Sequence, residues 1–418
     1  MNYKKGIIPL LLMFFLSVTI TETFSQNNNL LRRLPRGGGG GGSSDSIAHR
    51  TGLEDSITIN FRYLDSSRMR KFDSSILDFT QRFPVPSDHY HLGNIGNATH
   101  SMVYSKLMRA GWDNGFHAYD SYILNDYDTR FYNTTRPYTE IQYQFGSRYE
   151  QMLGALHTQN ILPNWNASFQ YRMINSTGFY QNQNTSHNNY RFGSWFQSKN
   201  KRYQNFIVVV GNKLLSGENG GIKDEAYLDS AAYKERSTIP TRLGGNTAAN
   251  RNLFSSDIGT GTKYTTASFL MRQQYDFIGN KDSIVTDSSV IPLFYPRLRG
   301  EYTINYRTYN YRFTDPAPGQ SVEFYNQKYG ILIDSTVHNY YLQDYWNELL
   351  NDFSIYQFPD AKNSQQFVKL GATMQLLTGK FDSGTVKSKN HNFFVHGEYR
   401  NRTRNQKWDV EAFGNFYV

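Results

Sequence analysis

The chain has 418 residues, no cysteine, and a formal net charge of +9 from 44 Lys and Arg against 35 Asp and Glu. The missing cysteine excludes disulfides, thiolate catalysis, cysteine-ligated zinc and a lipid anchor on an N-terminal cysteine. The cations are interspersed with acids and form no continuous basic stripe, which argues against a nucleic-acid partner.

Lys4 and Lys5 precede an apolar run from Ile7 to Ile20, and a short polar stretch follows to Gln26. This layout predicts a secretory signal peptide over 1–25. The run is shorter than the about 20 residues a membrane-spanning helix requires. Residues 26–54 hold Asn27–Asn29, Arg32, Arg33, Arg36 and six glycines, Gly37–Gly42. They predict a disordered Gly-rich leader, because so little apolar surface cannot offset the entropy of ordering. No Lys-Ser/Thr follows the glycines, as a phosphate-binding loop would need.

Residues 55–90 predict a small N-terminal periplasmic hairpin element. Ile57, Ile59, Phe61 and Tyr63 alternate with Thr58, Asn60 and Arg62. A polar connector, Arg68–Lys71, leads to a second strand over Phe72–Phe79, and Pro84 and Pro86 punctuate the end. This element is expected to pack on the base of the following domain or to plug it.

Residues 91–418 predict an outer-membrane β-barrel. Apolar and polar side chains alternate with the period of 2 that defines a two-faced strand. Ile141, Tyr143 and Phe145 oppose Glu140, Gln142 and Gln144; Trp165, Ala167, Phe169, Tyr171 and Met173 oppose Asn164, Asn166, Ser168, Gln170 and Arg172. Leu298, Tyr302, Ile304 and Tyr306 oppose Arg297, Arg299, Glu301, Thr303, Asn305 and Arg307, and Val368, Leu370, Ala372, Met374 and Leu376 oppose Lys369, Thr373 and Gln375. Trp408, Val410, Ala412 and Phe416 repeat the pattern at the end. The segments approach the about 9–11 residues of a tilted spanning strand. A tight turn at Ile161–Pro163 contrasts with a long polar loop over Gly217–Lys263, and alternating short and long connections are the barrel habit. The fold class is therefore all-β: a transmembrane antiparallel up-and-down barrel with roughly 10–12 strands visible.

Four motifs carry a resemblance. They are Leu92-Gly93-Asn94-Ile95-Gly96-Asn97-Ala98, Arg136-Pro137-Tyr138-Thr139-Glu140-Ile141-Gln142-Tyr143, Ser198-Lys199-Asn200-Lys201-Arg202-Tyr203 and Gly217-Glu218-Asn219-Gly220-Gly221-Ile222. In order and spacing the chain from about Asp55 onward resembles the Putative porin family of Bacteroidetes outer membranes. The resemblance implies an outer-membrane channel and brings no catalytic residues. Members of that family are typically longer, which implies a barrel that continues past Val418.

Constellations that could carry chemistry are thin. His89 and His91 share a strand face, but a metal site needs three or four ligands and no third is near. Asp113, Asp120, Asp126 and Asp128 follow no calcium-loop spacing and read as turn chemistry. No Gly-x-Ser-x-Gly elbow occurs. The expectation is a non-enzymatic protein with no cofactor and no metal.

The polar parity of each strand supplies the predicted pore lining: Glu140, Gln142, Gln144, Gln170, Arg172, Arg297, Arg299, Glu301, Arg307 and Lys369. Cations outnumber acids in this set, so charge rings of this composition predict a mild anion preference; the alternative is that the charges pair across the lumen and plug it. The expected partners are outer-membrane lipid, small hydrophilic solutes, the barrel-assembly machinery and further copies of the chain. Two other readings stay open at this point: a non-conducting barrel with a structural or assembly role, and an exported soluble β-sandwich that binds carbohydrate.

Overall fold

The computed structural model describes residues 58–65, 69–71, 82–104, 111–113, 115–244, 258–286, 289–334, 336–403 and 407–417. The predicted signal peptide, the Gly-rich leader and the strand expected over Phe72–Phe79 lie outside the described residues. Among the described residues no helix is long and apolar enough to cross a membrane, which is silent on crossing by strands.

One antiparallel sheet dominates. Its eleven strands pair strictly in chain order: β6 (Tyr138–Phe145), β7 (Gln151–Leu162), β8 (Trp165–Ser176), β9 (Thr185–Gln197), β10 (Tyr203–Gly217), β11 (Gly261–Thr286), β12 (Ser289–Asp315), β13 (Tyr340–Gln357), β14 (Gln366–Phe381), β15 (Val386–Arg402) and β16 (Asp409–Tyr417). This up-and-down order matches the predicted barrel-like all-β fold, and a single continuous sheet is not the two-sheet stack of a sandwich. β6 and β16 are its two edges.

The turns sort by end. At one end Pro163 and Asn164 join β7 to β8, and residues 198–202 join β9 to β10. Lys201 takes φ 61° there and Ser198 accepts from the Tyr203 amide at 2.9 Å through its hydroxyl. At the opposite end lie the described parts of the long connections, residues 218–244, 258–260, 316–334 and 336–339.

Register fixes the two faces, because directly paired residues of antiparallel strands point the same way. Phe192, Val209, Phe269, Tyr306, Leu349 and Leu376 form one continuous row across β9 to β14. One position along, Arg191, Val210, Ser268, Arg307, Glu348 and Leu377 form the opposite row. The first row belongs to a wide apolar face that includes the exposed Ile141, Phe169, Phe353, Leu370 and Phe393. A soluble protein rarely exposes so continuous an apolar surface.

The segment ahead of β6 does not enter this sheet. β1 (Ile59–Arg62), β2 (Arg70–Lys71) and β5 (Phe131–Thr134) form a separate three-stranded sheet in the order β2-β1-β5. β3 (His89–His91) and β4 (Thr99–Ser101) form a two-stranded hairpin. The sequence reading joined residues 91–134 to the barrel; the large sheet instead starts at Tyr138. The physical reason is that the described part of this stretch satisfies its backbone within its own small strands and with inner-face side chains rather than with β6. Its hydrophobic residues complete two cores against the sheet. Leu64, Leu124 and Phe131 pack with Phe206, Val208, Val210 and Leu270. Phe116 stacks on Tyr311 at 4.2 Å and on Trp346 at 5.7 Å, beside Trp112.

Candidate functional site: the inner face of the sheet

The described residues between 58 and 134 lie against the inner face, some near each of its two ends. Near the short-turn end, Arg62 donates to Gln204 at 3.1 Å. Near the long-loop end, the Leu92–Ala98 motif docks on four strand residues. Asn94 donates to Ser176 at 3.0 Å, Thr185 donates to the Ile95 carbonyl at 2.7 Å, His187 Nε2 donates to the Gly96 carbonyl at 2.7 Å, and Ser216 donates to Asn97 at 3.1 Å. Gly96 is required: its φ is +90° and a Cβ there would sit 2.5 Å from Thr185 Oγ1. His187 is fully buried, and its Nδ1 accepts from the Leu215 amide at 3.2 Å. Both ring nitrogens are therefore committed to backbone partners, which fixes a neutral tautomer.

The return pass is held at mid-sheet. Asn189 and Arg172 both donate to the Tyr122 carbonyl, at 2.7 and 2.6 Å. Asn212 accepts from the Leu124 amide at 2.9 Å and donates to its carbonyl at 3.2 Å, pairing like a strand residue through one amide side chain. Arg191 donates to the Asn125 carbonyl at 3.0 Å. Asp126, expected as part of a polar loop, is 2 % exposed and accepts from Asn305 at 2.8 Å and from Arg307 at 3.1 Å.

The ten residues expected to line a pore scatter among several situations. Arg307 binds Asp126 and lies 3.5 Å from Glu348. Arg299 pairs with Asp276 at 2.6 Å. Glu301 is fully buried between Arg272 at 3.7 Å and Lys369 at 3.6 Å, and accepts from Gln274 and Tyr356. Glu140 is ion-paired with Arg82. Gln170 accepts from Arg191 at 2.6 Å, and Gln142 lines an open cavity. The Gln144 side-chain nitrogen and the Arg172 Nε are buried with no partner. Arg297 is exposed within β12, level with the end of β13, where its carbonyl accepts from the Phe358 amide. Most inner-face charges are thus paired, with each other or with the interior segment.

Sequence reasoning missed Asp65, Asp126, His187 and Arg272. Arg272 donates to the Leu64 carbonyl at 3.3 Å and pairs with Asp65 at 2.5 Å. Arg62 is 6 % exposed and has no carboxylate within ion-pair distance among the described residues; it sits over the rings of Phe206 at 5.0 Å and Trp195 at 5.6 Å. Burial, with repulsion from Arg299 and Arg272, pushes its guanidinium well below the usual arginine range. His117 donates to Asp120 at 2.8 Å and Asp113 at 3.0 Å. Burial opposes its charge, but these two carboxylates outweigh burial and raise its pKa above 6.5.

His89 is bound to Asp88 at 2.9 Å, and no group of three metal-ligating side chains occurs among the described residues. Two cavities remain beside the interior segment. One of about 1150 Å³ lies between the small sheet and β6–β9, and one of about 600 Å³ is lined by Arg272, Glu301, Tyr356 and Lys369.

A family model described as Putative porin matches residues 58–418. No curated protein and no solved structure matches the chain.

Proposed function

Because the chain belongs to the Putative porin family, we propose that it is an outer-membrane channel for passive diffusion of small hydrophilic solutes, narrowed from within by its own residues 58–134. The supporting observation is the division of one sheet into a continuous apolar face and a polar, charged face. Spanning barrels need that division, since lipid meets one face and water the other. In this reading the signal peptide exports the chain, the barrel-assembly machinery inserts it, and the apolar face meets lipid. The short turns face the periplasm and the long 218–260 and 316–339 connections face outward. Solutes pass beside the interior segment, through the larger cavity, without covalent chemistry.

The test is planar-bilayer recording of the inserted chain in potassium chloride. Stepwise conductance is expected, and Asp126→Ala should raise it by loosening the interior segment. A second reading is favoured by the paired charges and stacked rings of that segment: a non-conducting barrel that serves a structural or assembly role, alone or with further copies. Silence from an inserted chain, wild type and Asp126→Ala alike, selects this second reading.

A further inference from the structure

We propose that the larger cavity is a binding site for small multivalent oxyanions, solutes carrying phosphate or several carboxylates. The proposal rests on reading the inner face as a solute path, but its test does not require conduction. Six cationic side chains line the cavity: Arg70, Lys71, Arg82, Arg130, Arg172 and Arg191. The carboxylates lining it are Asp128 and Glu140, and Glu140 is already taken by Arg82 and by the Tyr138 hydroxyl.

Apart from Arg82, which is paired with Glu140, the guanidiniums are held in place by neutral groups. Arg70 sits over Tyr63 at 5.1 Å and Arg130 over Phe61 at 4.9 Å. A ring face orients an arginine without cancelling its charge, and the Tyr63 and Tyr132 hydroxyls that Arg130 also bonds are neutral partners. Arg172 and Arg191 reach the interior segment through neutral acceptors, the Tyr122 and Asn125 carbonyls and Gln170. Neither has a carboxylate within ion-pair distance among the described residues, so both keep a net positive charge beside the cavity.

Geometry and size select the ligand. Planar guanidinium forks match the oxygens of phosphate and carboxylate, and several around one void favour a multiply charged anion over chloride. A volume of about 1150 Å³ admits a solute of small-metabolite size together with water. Low-dielectric walls and unbalanced positive charge focus the field into the cavity.

The experiment is calorimetric titration of the detergent-folded full chain with sodium tripolyphosphate, and separately with citrate. Wild type should bind one or both saturably. Arg172→Gln with Arg191→Gln should weaken binding at least tenfold, and Arg312→Gln, outside the cavity, should leave it unchanged. If the double variant does not fold, Arg70→Gln with Lys71→Gln on the exposed β2 carries the same expectation. Tripolyphosphate alone assigns phosphate solutes, and citrate alone assigns polycarboxylates. A folded wild type that binds neither overturns the proposal, as does equal affinity in both cavity variants. Binding by a chain that is silent in bilayers removes the channel reading and leaves the site standing.

Discussion

Arg307 closes on Asp126 from 181 positions away, with Nε and Nη2 each 3.1 Å from the carboxylate oxygens. The carboxylate is 2 % exposed, and Asn305 donates to it at 2.8 Å. The contact ties the interior segment to the middle of β12. Removing one member of such a pair strands the other charge. Asp126→Ala should therefore lower unfolding free energy by about 3–5 kcal/mol, read by urea denaturation in lipid or detergent. Asp126→Ala combined with Arg307→Met and Glu348→Gln should cost clearly less, since Glu348, 3.5 Å from Arg307, is then not left as a lone buried charge. Equal midpoints for wild type and Asp126→Ala would remove the pair from any holding role.

Gly96 places its carbonyl on His187 by adopting φ +90°. Gly96→Val combines an unfavourable backbone conformation with a clash on Thr185, an expected loss of about 1–3 kcal/mol. The effect should be local: amide exchange over residues 92–98 accelerates while that of β12 and β13 is unchanged. Uniform loss of protection across the sheet would show that the motif is not a separate latch.

The His117 contacts make a pH-dependent clamp. Its pKa is raised on folding, so its contribution is fully present below about 6.5, the unfolded value, and is lost as pH rises through the higher folded value. Nuclear magnetic resonance titration of the ring should give a midpoint above 6.5 in wild type. The midpoint should fall towards that value in Asp120→Asn. A wild-type midpoint at or below 6.5 contradicts the clamp.

Arg62 is a buried cation whose compensation is one amide oxygen and two ring faces. Arg62→Met keeps the length of the side chain and removes the desolvation cost. Stability should rise by about 1 kcal/mol or more. A drop instead would mean that the Gln204 and ring contacts outweigh the burial.

Phe269 lies in the middle of the apolar row, between Val209 and Tyr306. Phe269→Arg should cost about 2–4 kcal/mol in a bilayer, the depth-dependent penalty for charge on a lipid face. The same variant should be far milder in an aqueous denaturant-free dispersion with short-chain detergent. Indifference to the bilayer would place this face away from lipid.

The large sheet was legible because its two faces differ, one exposed and apolar, the other polar and covered. The alternation of Phe169 and Tyr171 with Gln170 and Arg172 is a direct print of that difference. β10 is the instructive exception. Phe206-Ile207-Val208-Val209-Val210 is apolar at both parities, because Phe206, Val208 and Val210 face Leu64, Leu124 and Phe131 inside while Ile207 and Val209 face outward. A strand covered on both sides loses its period, and that loss was the available signal that something occupies the interior. The course of residues 91–134 left no such print. Its Asn, Gly and Asp residues read as turns, and the same residue types equally suit a chain that feeds its carbonyls to Asn189, Asn212 and His187. Asp126 has no local partner in sequence; only the register of β12 brings Arg307 to it. For the same reason the polar parity, which put Arg299, Glu301 and Arg307 on one face, was blind to what each meets there.

The order of the chain gives this architecture a schedule. The innermost described residues are also the earliest synthesised, and they precede every strand that surrounds them. Asp65 must wait for Arg272, 207 positions later, and Gly111 donates to the hydroxyl of Tyr417, 306 positions later. Contacts of such separation are slow to form. The described residues ahead of β6 thus complete their contacts only as the later strands form, so a defect in them is expected to appear first as slower or failed folding.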